Sequence, residues 1–221
     1  MHEKNHCRWS VFKIKWNDKK NKKNLMNRIG IFGGTFDPPH IAHSILANEV
    51  REQMKLDKII FIPSGNPPLK NEDFVSSPMH RLNMAKIAFE RDKSFEINDI
   101  EIKKYFKKSY TIDTIQKLAE EYKNDPVKLY LIIGIDNLID FPKWKEPDKI
   151  FSICEVLVMY RPGYIVKKIT PEYSSKVKYI DVPLLEISST SIRNKVKNIE
   201  SIKYLVFPEV ENFILNNKLY L

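Results

Sequence analysis

Four short runs, Ile29–Phe32, Ile59–Ile62, Leu129–Ile133 and Val156–Met159, are apolar at nearly every residue, rich in β-branched side chains and bounded by Gly or Pro. A strand without a polar face has to be covered on both sides, which is the situation of a parallel sheet packed between helices. Between the runs the apolar period becomes helical: Ile41, Ile45, Leu46, Val50 and Met54; Leu82, Ala85 and Phe89; Ile112, Ile115, Leu118, Ala119 and Tyr122. Strand and helix in alternation predict right-handed βαβ units. The expected fold is α/β, a doubly wound parallel sheet closed by C-terminal helices. Those helices lie over 189–215, where Ile192, Val196, Ile199, Leu205, Val210 and Phe213 recur at helical intervals and Pro208 suits a first turn. No internal repeat or linker follows Arg28, so residues 28–221 are expected to form a single domain.

Charge sets residues 1–27 apart as a basic extension. The 221-residue chain carries 37 Lys+Arg against 28 Asp+Glu, a net +9, which raises nucleic acid or an anionic surface as a partner. Eight of the basic and two of the acidic residues lie in 1–27, so the remainder is close to balanced. Asn17–Asn27 is rich in Lys and Asn and cannot bury much apolar surface, while Trp9, Val11, Phe12, Ile14 and Trp16 leave room for a docked strand or an anchor. Deleting residues 1–25 is expected to leave catalysis intact. No run approaches the ~20 apolar residues of a spanning helix. Cys7 and Cys154 stand far apart, which excludes a disulfide scaffold and a CxxC metal ribbon. Without the apolar core of a secretory signal, a cytoplasmic protein is expected, with no membrane and no specific nucleic acid as partner. A homo-oligomer stays open.

In an open α/β sheet, ligands collect at the carboxyl ends of the strands, and the exit of the first strand is the usual place. The string there is GGTFDPPHIAH, Gly33–His43. Gly33 and Gly34 let the backbone turn and a ligand approach without a Cβ in the way. Pro38 and Pro39 can start a helix. His40 and His43, three apart, then share one face beside the positive end of the helix dipole, the natural seat of a phosphate. Two surface histidines, or a metal site lacking its further ligands, are the competing readings. A second string, ISSTSIR at Ile187–Arg193, offers Ser188 or Ser189 as N-cap, with Thr190 and Arg193 at i, i+3. A hydroxyl, free amides and a guanidinium would converge there on a polyphosphate. An ordinary capped surface helix is the plainer reading of that segment taken alone.

Together these strings resemble the adenylyltransferases of the nucleotidyltransferase superfamily. GGTFDPPHIAH, SYTIDT at Ser109–Thr114, GIDNL at Gly134–Leu138, Trp144, RPG at Arg161–Gly163 and ISSTSIR follow one another in the order seen in bacterial-type nicotinate (nicotinamide) mononucleotide adenylyltransferases. The resemblance runs from Arg28 to Leu221 and implies a Rossmann-like fold. GGTFDPPH and ISSTSIR are shared with the pantetheine-phosphate branch; SYTIDT, Trp144 and RPG point to the pyridine nucleotide branch. The resemblance implies that His40 and His43 are catalytic. It places both, with Gly33, Gly34, Thr35, Phe36, Ser189, Thr190 and Arg193, around ATP, and Lys70, Tyr110, Thr111, Asp136 and Trp144 around the mononucleotide. Two departures from the pattern stand out: Ala42 replaces a glycine of HxGH, and Leu69 replaces a histidine before Lys70. Glu101 lies one residue further from SYT than the pattern expects and is given no role.

The implied reaction is adenylyl transfer from ATP to nicotinate mononucleotide, giving deamido-NAD and pyrophosphate in NAD biosynthesis, with Mg²⁺ accompanying ATP, no metal site formed by the protein, and nicotinamide mononucleotide as a second acceptor. The attacking phosphate is already ionised near neutral pH, so orientation and charge stabilisation should carry catalysis. The expectation is that His43 donates to the α-phosphate while His40 and Arg193 steady the triphosphate. Independently of the resemblance, Thr111 opens a helix whose free N–H groups favour a carboxylate over a carboxamide, and the Trp144 indole can stack on a pyridine. Tyr110 and Trp144 would otherwise be core aromatics. The competing activities are a pantetheine-phosphate adenylyltransferase and, in a different class, a non-catalytic nucleic-acid-binding protein.

Overall fold

The computed structural model describes residues 26–66, 76–104, 108–160 and 171–221. Six strands, β1 (Asn27–Gly34), β2 (Lys58–Pro63), β3 (Phe95–Ile97), β4 (Val127–Gly134), β5 (Glu155–Tyr160) and β6 (Lys178–Asp181), form one sheet in the order β3-β2-β1-β4-β5-β6, every neighbouring pair parallel. The chain works outward from β1 to β3, then returns to β4 on the other side of β1. That reversal puts the topological switch between β1 and β4, where a crevice opens outside the carboxyl ends of the strands. The four apolar runs are the four inner strands, as predicted. β3 and β6, the edges, are short and carry Glu96, Lys178 and Asp181, so they lack the apolar signature of the interior strands.

Strand alternation divides the core in two. Ile59, Phe61, Tyr130, Ile132, Leu157 and Met159 face one cluster, and Ile60, Ile62, Leu129, Leu131, Val156 and Val158 face the other. The first cluster is covered by α1 (Ile41–Met54), α2 (Pro78–Phe89), α7 (Ser189–Lys197) and α8 (Pro208–Asn216). The second lies under α3 (Thr111–Glu121), α4 (Ile135–Asp140), α5 (Pro147–Ile153) and the short α6 (Pro171–Ser174). The last helix begins at Pro208, as its first-turn proline predicted.

Two apolar faces differ from the sequence reading. Helix α1 buries Ala42, Ala47, Val50 and Met54, whereas Ile45 is 41% exposed. The helix turns its small alanines to the sheet, where there is little room beneath the Phe32–Phe36–Phe61–Phe89 rings. Ile199 lies beyond the end of α7 and is 92% exposed; Ile202 and Val206 fill the core between α7 and α8 instead. Among the described residues no helix is long and apolar enough to cross a membrane.

Candidate active site

The chain leaves β1 through Gly33 and Gly34 into the loop 35–40. A Cβ on Gly34 would meet the Phe36 ring at 2.8 Å, whereas one on Gly33 would meet nothing within 4 Å. Only Gly34 is therefore demanded by packing; Gly33 borders open space. Phe36 takes φ 50, in the left-handed region that costs a bulky residue about 1–2 kcal/mol. Its buried ring sits edge-on to Phe32, Phe61, Phe89 and His43. Phe36 thus anchors the loop from below and does not line the cavity.

Helix α1 starts at Ile41, not at the prolines. His40 is the extended N-cap, φ −133 and ψ 166. The reason lies outside the helix. The Pro38 carbonyl accepts from Ser189 Oγ at 2.8 Å and the Asp37 carbonyl from Arg193 Nη1 at 2.8 Å, while Ile41 N–H donates to the Leu205 carbonyl at 3.0 Å. Residues 37 and 38 form a bend whose carbonyls are pinned by these partners, so the chain enters the helix only after His40.

The paired imidazoles do meet, stacked with centroids 3.7 Å apart and planes at 24°. His43 Nδ1 accepts from the His40 backbone N–H at 3.1 Å. An acceptor nitrogen bears no proton, so the hydrogen of neutral His43 is on Nε2. His40 is buried, and burial pulls its pKa down to about 4. Near neutral pH His40 is therefore uncharged, and it can contribute a donor but not a cation. Its Nδ1 is buried without a hydrogen-bond partner among the described residues. Ala42, the departure from HxGH, is 1% exposed, so its methyl is packed inside the fold and not presented to a ligand.

The second string reaches the same loop. Ser188 caps α7, accepting from the Ser191 N–H at 3.1 Å, and Ser189 and Arg193 bind the Pro38 and Asp37 carbonyls. Arg193 Nη2 donates to Thr190 Oγ1 at 3.2 Å. The i, i+3 pairing of Thr190 and Arg193 is thus realised, and two helix N-termini, α1 and α7, converge on residues 37–40.

Underneath lies a network with no counterpart in the sequence reading. Asp37, 1% exposed, accepts from Ser76 N–H at 3.1 Å, from Ser76 Oγ and from Tyr220 Oη at 2.7 Å. Arg81, also 1% exposed, donates to four carbonyls: Thr35 and Ser76 at 3.1 Å each, Gly65 at 2.9 Å, and Ser64. Burial lowers the Arg81 pKa, and Asp37, Tyr220 and Glu101 nearby oppose that fall. One side chain ties the loops after β1 and β2 to the start of α2. A signal existed: Arg81 lies on the stripe with Leu82, Ala85, Ala88 and Phe89 that α2 buries. An arginine on an apolar face needs an interior partner.

Beside the loop, at the β1–β4 switch, a cavity of about 340 Å³ is lined by Gly33, Gly34, Thr35, Ser64, Glu101, Ser109, Tyr110, Thr111, Thr114, Asn137 and the run Lys143–Lys145, which includes Trp144. Tyr110 is the N-cap of α3 but makes no side-chain cap bond, which leaves that helix start to other acceptors. Asp113 in the first turn would repel an anion, yet Lys145 Nζ holds it at 2.8 and 3.0 Å and sits 4.9 Å from the Tyr110 ring centroid. Trp144 leans on Phe141, centroids 4.9 Å apart. Glu101, given no role from the sequence, lines the cavity and accepts from Thr114 Oγ1 at 2.8 Å. Burial pushes its carboxyl pKa up, against hydrogen bonds from Thr114, Ser109 and the Gly65 N–H. Gly65 is required there, since a Cβ would stand 2.3 Å from the Glu101 carbonyl oxygen. Asp136 is exposed in the first turn of α4 and does not line the cavity; its neighbour Asn137 does. Lys70, Leu69, Arg161–Gly163 and the extension to residue 25 lie outside the described residues.

Among the described residues no group of three or more His, Cys, Asp or Glu could hold a metal ion. The side chain of Asp37, the acid in the phosphate loop, is already occupied by Ser76 and Tyr220. Among the described residues no side-chain set therefore offers a resident Mg²⁺ its ligands; the ion would accompany the ATP phosphates.

A switch-point cavity that runs from the glycine loop after β1 to the start of α3 is the layout of nucleotide-binding α/β proteins; His40, His43, Ser189, Thr190 and Arg193 stand outside its lining, on the neighbouring loop, α1 and α7. The Cytidylyltransferase-like family model matches residues 31–195, which puts the chain in the nucleotidyltransferase class. Curated relatives narrow this. A probable nicotinate-nucleotide adenylyltransferase of Clostridium tetani is 41% identical over 88% of this chain and 100% of its own length, and the nicotinate-nucleotide adenylyltransferase of Bacillus subtilis is 40% identical over 88% and 99%. The chain belongs to the nicotinate-nucleotide adenylyltransferase family. In fold it is similar to the nicotinic acid mononucleotide adenylyltransferase of Plasmodium falciparum complexed with NaAD, with a TM-score of 0.71 at 22% identity over 88% of this chain and 97% of that one.

Proposed function

We propose that this protein transfers the adenylyl group of ATP to nicotinate mononucleotide, forming deamido-NAD and pyrophosphate in NAD biosynthesis. The observation that carries the reading is that Ser189 and Arg193 of α7 bind the Pro38 and Asp37 carbonyls just ahead of α1, beside a cavity that ends at the start of α3. A mononucleotide phosphate oxygen attacks the α-phosphorus, a new P–O bond forms, the α–β bridge breaks and pyrophosphate leaves. No protein nucleophile takes part. His43, with its proton on Nε2, donates to the α-phosphate as charge accumulates. His40 adds a neutral donor, and Thr190, Ser189 and Arg193 hold the triphosphate, with Arg193 supplying the positive charge. Gly33, Gly34 and Thr35 border the passage from ATP to acceptor.

In the acceptor pocket, Trp144 and Tyr110 flank the pyridine, and Thr111 opens the helix whose dipole faces its carboxylate. A helix N-terminus favours an anion by about 0.3–2 kcal/mol, or roughly 2- to 30-fold. Nicotinamide mononucleotide would accordingly be a weaker second acceptor. Lys70 completes the proposed mononucleotide contacts, Asp136 helps order the start of α4 beside the cavity-lining Asn137, the catalytic domain runs from Asn27, where β1 begins, to Leu221, and residues 1–25 are dispensable for catalysis. Pyrophosphate release with Mg-ATP and, in parallel, nicotinate mononucleotide, nicotinamide mononucleotide and phosphopantetheine tests the reading. Preference for the acid supports it. Turnover of phosphopantetheine alone, or of none of the three, overturns it.

A further inference from the structure

We infer that Tyr220 is a positioning residue for the ATP half of the site, acting through Asp37. Beyond α8 the chain turns back: Lys218 N–H and Leu219 N–H bond the Leu215 and Ile214 carbonyls at 3.1 and 3.0 Å, Leu219 is buried, and Tyr220 packs partly against the same apolar cluster. That turn brings the Tyr220 hydroxyl 2.7 Å from Asp37 Oδ1. The phenol is kept in its donating form, because burial and the Asp37 carboxylate both push its pKa upward.

Asp37 is the residue on which the two phosphate-binding helices meet, because its carbonyl receives Arg193 Nη1 while its side chain is fixed from the opposite side. The donors on that carboxylate are neutral: the Ser76 amide, the Ser76 hydroxyl and the Tyr220 hydroxyl. A buried carboxylate deprived of one donor seeks another or moves toward water. Any such movement carries the Asp37 carbonyl with it, and so the Arg193 guanidinium and the 37–40 segment ahead of His40. Neither Tyr220 nor Asp37 lines the acceptor cavity. The defect should therefore reach ATP and spare the mononucleotide.

This inference rests on the proposed reading for the identity of the substrates, and the test separates the two. In full-length protein, Tyr220→Phe keeps the ring and removes only the hydroxyl. The expected result is an ATP KM raised about tenfold, a matching loss of affinity for a non-hydrolysable ATP analogue by calorimetry, and a mononucleotide KM within twofold of wild type. Unchanged ATP affinity overturns the inference, as does a rise in both KM values in step with a lower Tm. Should Tyr220→Phe not fold, Ser76→Ala removes another donor from the same carboxylate and is expected to give the same ATP-selective loss; equal loss for both substrates overturns it. A wild-type chain that binds the ATP analogue without using nicotinate mononucleotide would defeat the proposed acceptor alone, and the calorimetric arm would still decide the role of Tyr220.

Discussion

Replacing Arg81 tests how the site is held together. Its bond to the Gly65 carbonyl is fully buried, and those to Thr35, Ser64 and Ser76 are part-buried. A buried carbonyl left unpaired costs about 1–3 kcal/mol, and one that reaches some water costs about 0.5–1 kcal/mol. Arg81→Met should thus forfeit about 3–6 kcal/mol, reduced somewhat because a buried charge disappears. Against the roughly 5–15 kcal/mol of a typical domain, that leaves a marginal fold. Arg81→Lys is the more informative variant. It keeps the charge, but an ammonium cannot span four carbonyls as a planar fork does. A cost of about 1–2 kcal/mol is expected, and at about 2–4 °C per kcal/mol the Tm should fall by roughly 2–8 °C. Thr35 borders the ATP loop, whereas Ser64 lines the acceptor cavity beside Gly65, so KM should rise for both substrates, in contrast to the ATP-selective effect expected of Tyr220→Phe. The assays are thermal unfolding and initial-rate kinetics with each substrate varied. An Arg81→Lys protein with wild-type Tm and both KM values unchanged would refute the claim that this side chain ties the loops together.

His43→Ala should lower kcat by roughly 10²-fold or more if its Nε2 proton stabilises the transition state; a near-normal rate removes that role. Ala42→Gly should cost about 1–2 kcal/mol in urea unfolding, through a lost buried methyl and a looser helix, while ATP KM stays within twofold. An ATP KM that falls instead would show the methyl obstructing the nucleotide. His40 has a folded pKa of about 4 against an ordinary 6.5, so the unfolded chain takes up its proton first. The contribution is fully present above pH 6.5 and is lost as pH falls toward 4, on the order of 3 kcal/mol in all. Wild type should therefore lose more stability than His40→Gln between pH 7.5 and 5, and parallel losses would contradict the burial argument. Deleting residues 1–25 should leave kcat and both KM values within twofold, as steady-state kinetics of the shortened chain would show.

What could be read from the sequence follows the strength of each physical signal. Strands β1, β2, β4 and β5 are buried on both faces and announce themselves as apolar runs. The edges β3 and β6, three and four residues long with polar members, have no periodicity long enough to read. The cap of α7 was legible because capping chemistry is local: Ser188 caps that helix within the string that contains it. The start of α1 was misplaced at the prolines because residues 37 and 38 are held in a bend by Ser189 and Arg193, some 150 residues away. Tyr220 and Ser76 carry no local mark at all; their role arises only when the chain returns to Asp37. Arg81 alone among the hidden residues could have been suspected, from its place on the apolar stripe of α2.

The distance between Asp37 and Arg193 along the chain has a consequence for synthesis. At about 5–20 residues per second, roughly 8–30 s separate the emergence of Asp37 from that of Arg193. Through that interval β1 has β2 for a neighbour, but its other edge waits for β4, nearly a hundred residues downstream. Nucleotide in the cell cannot rescue such a nascent chain, because mass-action stabilisation requires a formed site, and this site closes only when α7 docks. Protection of the growing chain falls instead to whatever shields an unpaired strand edge.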